Sequence, residues 1–234
     1  MKFSSRVVRT VRWQVAVRLA GASLLSVALS QSTPTNADTA GAATFRVPLV
    51  KQALRNNCET AALSMLLGAR GAHVGQLTLQ RALPRSGPLD PIVSTSGGLP
   101  IWGDPERGFV GRAEGGGTSG GYGVYAPPIR ALAARYGVSL INFSRRPSSV
   151  IYRRLAVGRP VMVWIGLTAG PYKTWRTPEG KRLRGNFGEH TVVLTGIRGG
   201  SIMVNDPLYG TRTTWTRASF ERMWLRLGRR ALGT

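Results

Sequence analysis

A single cysteine, Cys58, stands in a chain of 234 residues. An intrachain disulfide is therefore impossible, and so is a multi-cysteine metal site. Only two histidines, His73 and His190, accompany it, which leaves no material for a histidine-rich metal site. No metal and no cofactor is expected. The fold has to be held by an apolar core, and a hydrophobic content of 42% can supply one.

The organisation follows from local patterning. Residues 1–30 carry Lys2, Arg6, Arg9, Arg12 and Arg18, then an apolar run from Leu19 to Leu29, then small residues around Ser30. This is the layout of a secretory signal, and the run is short for a membrane span, although an uncleaved anchor stays open. Residues 31–44 read as a flexible linker, and the folded domain is expected over 45–234. Secretion or a place in the cell envelope is the expected localisation. Val47 to Val50 reads as a short edge strand, Asn57 to Leu67 as a helix that Gly68 ends, and Pro127 to Tyr136 as a second helix. Residues 84–124, rich in glycine and proline, read as one long loop that is functional or mobile. Val138 to Phe143 reads as a strand, Ser148 to Val157 as a helix, Val161 to Leu167 as a buried strand and 168–189 as a polar loop. His190 to Ile197 and Ile202 to Asp206 form a hairpin around Gly199-Gly200, and Arg217 to Leu227 a last helix. Helices come first and the sheet mostly later, an α+β layout.

The formal net charge is +22, and all basic residues except Lys2, Lys51, Lys173 and Lys181 are arginine. Such a charge favours anionic surroundings, among them an anionic cell-envelope polymer. The cations are scattered, without zinc-finger spacing or an aromatic RNA-binding signature, so no specific nucleic-acid partner is expected. The bland alternative is solvated surface charge. The glycine-rich segment 115–123 lacks the Gly-Lys-Ser/Thr ending of a phosphate loop and reads as a flexible cleft wall carrying Tyr122 and Tyr125.

Cys58 falls at the start of a helix whose remainder is apolar. Asn56 can cap it, with Glu59 reaching back as in a capping box. A sulfur among free main-chain N–H groups at the positive end of the macrodipole is favoured as thiolate, the nucleophilic form. The alternative is a small buried core cysteine. A cysteine nucleophile needs a base, and His190, at a strand end, suits that role better than His73. Asp206 could orient the imidazole; it could also simply form a turn before Pro207. If Gly199-Gly200 is a two-residue turn, His190 and Asp206 fall on opposite faces of the hairpin; if Arg198-Gly199-Gly200 is a three-residue loop with a glycine bulge they share one, so the trio requires that form or a bulge elsewhere in the strands. Gln52, six residues before Cys58, could join the Cys58 N–H in binding an oxyanion; alone it could equally be a polar loop residue.

Several segments then carry a resemblance. Val47-Pro-Leu-Val-Lys-Gln52 followed by Asn56-Asn-Cys-Glu-Thr-Ala-Ala62 resembles the start of the C39-like peptidase domain, a papain-like family. Gly103-Asp-Pro-Glu-Arg-Gly-Phe-Val-Gly111, Gly121-Tyr-Gly-Val-Tyr-Ala-Pro-Pro-Ile129 and Gly158-Arg-Pro-Val-Met-Val-Trp164 continue it. Glu189-His-Thr-Val-Val-Leu-Thr-Gly196 and Asn205-Asp-Pro-Leu208 complete it in family order. The resemblance implies a papain-like cysteine peptidase fold, with the nucleophile on the N-terminus of a helix packed against an antiparallel sheet. It implies a cysteine-type peptidase in which Cys58 is nucleophile, His190 base, Asp206 orienting residue and Gln52 oxyanion donor, acting on a peptide or protein. Relatives that cleave leader peptides after paired glycines are fused to transporters. No transporter segment lies in these residues, so the substrate is left open. Two other functions are compatible: an amidase or transpeptidase on cell-wall peptides, and a non-catalytic basic module of the envelope.

Overall fold

Val161–Gly166 is buried at every one of its six residues, which a sheet with one wet face would not allow. Both of its faces are covered. Met162 and Trp164 pack with Leu63, Leu66 and Ile129 on one side, while Val161, Val163 and Ile165 pack with Ile151, Leu155, Phe220 and Trp224 on the other. The structure, a computed structural model, describes residues 46–234 except 94, 96 and 116–119. The expected signal and linker, 1–44, lie outside the described residues, as does part of the glycine-rich segment. Among the described residues no helix is long and apolar enough to cross a membrane.

In chain order the elements are α1 (Cys58–Ala69), α2 (Gln76–Ala82), β1 (Arg85–Ser86), β2 (Phe109–Val110), α3 (Ala126–Ala134), β3 (Ile141–Asn142), α4 (Ser148–Ala156), β4 (Val161–Gly166), β5 (Tyr172–Arg176), β6 (Arg182–Asn186), β7 (Glu189–Arg198), β8 (Ser201–Asp206), β9 (Thr211–Trp215), α5 (Arg217–Leu225) and β10 (Ala231–Gly233). The central antiparallel sheet runs β3-β10-β4-β7-β8-β9. Helices α1 and α3 cover one face and α4 and α5 the other. The α+β class and the helix-on-antiparallel-sheet layout expected from sequence are what the chain adopts.

Several element readings are corrected. Val47 to Val50 joins no ladder; Pro48 has no N–H to give, and its carbonyl accepts from Asn205 Nδ2 at 3.1 Å instead. Gly68 does not end α1. A Cβ there would press on the Pro48 ring, so glycine permits a close approach, and the stop is Gly71 at φ +80. The Gly71 and Ala72 amides return to the Gly68 and Leu67 carbonyls, a Schellman ending. The expected polar loop 168–189 is largely the β5–β6 hairpin, and β9 and β10 were not foreseen. Among the described residues of 84–124 the backbone makes close contacts: a Cβ on Gly103 would run into the Ser86 carbonyl.

Candidate active site

The residue capping α1 is Asn57, not Asn56, so Cys58 is the first helical residue. The expected capping box is absent because both partners are engaged elsewhere. Asn56 donates through Nδ2 to the Gly121 carbonyl at 3.2 Å, and Glu59 Oε1 accepts the Val124 N–H at 2.7 Å. Asn57 instead orders the approach to the helix, its Oδ1 accepting from the Leu54 N–H at 2.8 Å and its Nδ2 donating to Gln76 Oε1 at 2.8 Å. The loop before α1 is tied to the end of β8 by the Gln52 N–H, which donates to the Pro207 carbonyl at 2.8 Å. Nucleophile helix and acid-bearing strand are thereby held in one register.

The hairpin resolves the question of faces. Gly199 and Gly200 form a two-residue turn, both at positive φ, with Arg198 paired to Ser201. That turn alone would set His190 and Asp206 on opposite faces. A register shift between Leu194 and Gly196 inserts one residue and returns them to the same face. His190 Nε2 then meets Asp206 Oδ1 at 2.8 Å, both side chains buried. With Nε2 committed to Asp206, Nδ1 is the ring nitrogen left to face the cleft. Burial pushes the Asp206 carboxyl up, but His190 and the Leu208 and Tyr209 amides outweigh it and hold the carboxyl below its ordinary range.

Cys58 and His190 line one small pocket of about 90 Å³, together with Gln52, Glu59, Tyr122 and Glu189. His73 is exposed beyond the far end of α1 and takes no part. Gln52 is in the pocket, yet its Nε2 donates to the Leu54 and Arg55 carbonyls, each at 2.9 Å.

The thiol itself departs from expectation. Burial pushes the Cys58 thiol well up, and the nearby charges of Glu59 and Glu189 push it further. The Thr191 main-chain N–H pulls the other way and does not restore the balance. Burial and the two carboxyls thus oppose the effect of the helix N-terminus on the sulfur. Cys58 Sγ donates to Glu59 Oε2 at 3.4 Å. Burial raises Glu59 to about 7, and burial with the Glu59 charge drives Glu189 well above the carboxylate range. Neither carboxyl has a salt-bridge partner among the described residues. Donor atoms of Cys58, Glu59 and Glu189 lie within 4.8 Å of one another. A divalent cation there would tie up the sulfur needed as nucleophile, so the three are read as a thiol beside an acid pair. The sequence does not announce this pair: Glu59 reads there as a capping residue, and Glu189 has no role. Their positions next to Cys58 and His190 were the available signal.

Gly123 makes the pair possible. It sits at φ +109, and a Cβ there would collide with Glu59 Oε1. Gly123→Ala is expected to cost about 2–4 kcal/mol, from backbone strain and overpacking together. Urea denaturation at neutral pH measures it, and a midpoint unchanged from wild type would contradict this account.

Residues 44–232 match the Peptidase_C39 like family. The chain belongs to that family. Another protein similar to this family member is YvpB of Bacillus subtilis (strain 168), itself uncharacterized: 34% identical over 186 residues, spanning 76% of this chain and 69% of YvpB. Among solved structures, one from Bacillus anthracis that carries the C39-like peptidase name superposes with a TM-score of 0.68 at 27% identity, over 80% of this chain and 94% of that one. The shared fold is thus the C39-like one, and the matched span contains Gln52, Cys58, His190 and Asp206.

Proposed function

We propose that this family member is an exported cysteine peptidase that hydrolyses peptide bonds through Cys58, His190 and Asp206, its catalytic domain spanning 45–234. The observation that carries the reading is that His190, bonded to Asp206 at 2.8 Å, lines the pocket that also holds the one cysteine. His190 Nδ1 takes the thiol proton as Sγ attacks the scissile carbonyl carbon. The oxyanion forms beside the Cys58 N–H, which has no intrahelical acceptor. Gln52 adds a second donor once it gives up one of its two carbonyl partners. The imidazolium then protonates the leaving amine, and water, deprotonated by His190, cleaves the thioester to acid and free thiol. Asp206 fixes the tautomer throughout and takes no proton.

A peptide vinyl sulfone tests the reading. It should modify Cys58 in the folded protein and leave His190→Ala nearly unmodified. Failure to modify folded wild-type protein across a varied peptide set would refute a peptidase. An acyl-enzyme could also be resolved by an amine of a cell-wall peptide; a digest of purified wall beside a protein panel separates the two outcomes. Export rests on the basic and apolar pattern of residues 1–30. Protein recovered from its producing cell is expected to begin between Gln31 and Thr44, and an intact Met1 on cytosolic protein would sink export.

A further inference from the structure

The nucleophile's pocket, at about 90 Å³, has room for a reacting carbonyl and little else. Selectivity must therefore be exercised outside it. Tyr122 is a wall both of that pocket and of a neighbouring cleft of about 370 Å³, a volume within the range of small-ligand sites (~300–1,000 Å³). Five of the side chains lining the cleft are basic and two are acidic. Both acids are already matched, Asp104 to Lys181 at 2.9 Å and Glu106 to Arg230 at 2.8 Å. Arg226 spends its guanidinium on the Gly166 and Leu167 carbonyls. Three cations are left without an acid, and of these Arg226 is held by main-chain carbonyls, which leaves two. Arg184 lies over the Tyr172 ring at 4.2 Å, and Arg145 has no side-chain partner among the described residues.

Arg145 also adopts a left-handed backbone, φ 64, and its N–H donates at 3.0 Å to Arg229, left-handed at φ 56. Two adjoining non-glycine residues in this region are held at a cost, and such strain gathers where a side chain must be presented in one direction. Tyr125, Tyr172 and Trp175 give the same cleft an aromatic wall. An apolar wall with unneutralised guanidinium groups is the chemistry that receives a carboxylate on a short apolar stem.

We propose that this cleft is the specificity subsite for a carboxylate-bearing peptide, with Arg145 and Arg184 as the groups that hold the carboxylate. The inference rests on the proposed peptidase reading, since it names the substrate class of that site. The carboxylate has two sources, a Glu or Asp side chain or a free peptide C-terminus.

The test uses two readouts on the full chain. Fluorescence anisotropy on Cys58→Ala follows dye-labelled peptides differing only in Glu, Gln or Lys, each with an acid or an amide C-terminus. Matched peptide vinyl sulfones, which leave room for residues on both sides of the electrophile, follow labelling of Cys58. The Glu peptide, the free-acid peptide, or both should bind about tenfold more tightly than their neutral partners. Arg145→Ala/Arg184→Ala should erase that preference, whereas the charge-matched control Arg81→Ala/Arg198→Ala should keep it. The preference in labelling should lie in the half-saturating concentration and not in the maximal rate. Loss of the preference in both double variants, or no preference in wild type, would overturn the subsite. Labelling without acidic preference leaves the peptidase reading and rejects the subsite. Acidic preference in binding with no labelling supports the subsite and rejects the peptidase reading.

Discussion

Cys58→Ala is expected to abolish turnover, because no second thiol exists in the chain to take over. His190→Ala should be nearly as damaging, a loss on the order of 10⁵–10⁶, since one imidazole serves as base toward the thiol and acid toward the leaving amine. Asp206→Ala should be roughly 10–100 times less severe, because the carboxylate orients the ring without taking its proton. Gln52→Ala should cost about 10²–10³, or less to the extent that its amide remains on Leu54 and Arg55. The Cys58 and His190 losses should be strongly non-additive, as for groups acting as one unit. Kinetics on a peptide found to be cleaved, with folding checked by circular dichroism, would establish the order. A His190→Ala enzyme with near-wild-type turnover would remove the base from the scheme. Full activity in Cys58→Ala would end the thiol mechanism altogether.

The core of this arrangement was legible in the sequence because each part has a local signature. An apolar run with a polar start announces α1, and Asp206 before Pro207 marks the end of β8. Whether His190 and Asp206 could meet was not legible from the turn. It depends on one extra residue in β7, and the available sign was Gly196 inside a strand, a common mark of a bulge. The β5–β6 hairpin escaped because its strands are mostly exposed and polar, with Trp175 as the main buried side chain. Pro178-Glu179-Gly180 between alternating runs was the overlooked turn signal, with Gly180 at φ +86. Strand β10 has three residues, and only tertiary packing sends it between β3 and β4. The thiol's environment was misread for a related reason. Helix position can be inferred from neighbours in sequence, but Glu59 and Glu189 are 130 residues apart and meet only in the fold.

That meeting sets the second large effect, which appears in Glu59→Gln. In the folded protein burial raises Glu59 to about 7 from an ordinary 4.5, so the folded state holds a proton that the unfolded chain has released. The corresponding stability is fully present below the unfolded value and is lost as pH rises through about 7. Glutamine keeps the shape and can donate to the sulfur, but it never ionises. Glu59→Gln should therefore match wild type near pH 4 and exceed its stability at pH 8 by on the order of 2–3 kcal/mol. The same substitution changes the nucleophile. An ionised Glu59 opposes the negative charge on Cys58, and Glu189 opposes it too; Thr191 helps through its amide, and His190 shares the pocket. Removing one of the two carboxylates should let the thiol ionise at lower pH. Alkylation by iodoacetamide near neutral pH should become faster, with the rate profile moved toward acid. The two measurements have to agree in direction, since one charge causes both. A variant with an unshifted alkylation profile, or one less stable than wild type at pH 8, would mean that Glu59 carries no unfavourable charge beside Cys58.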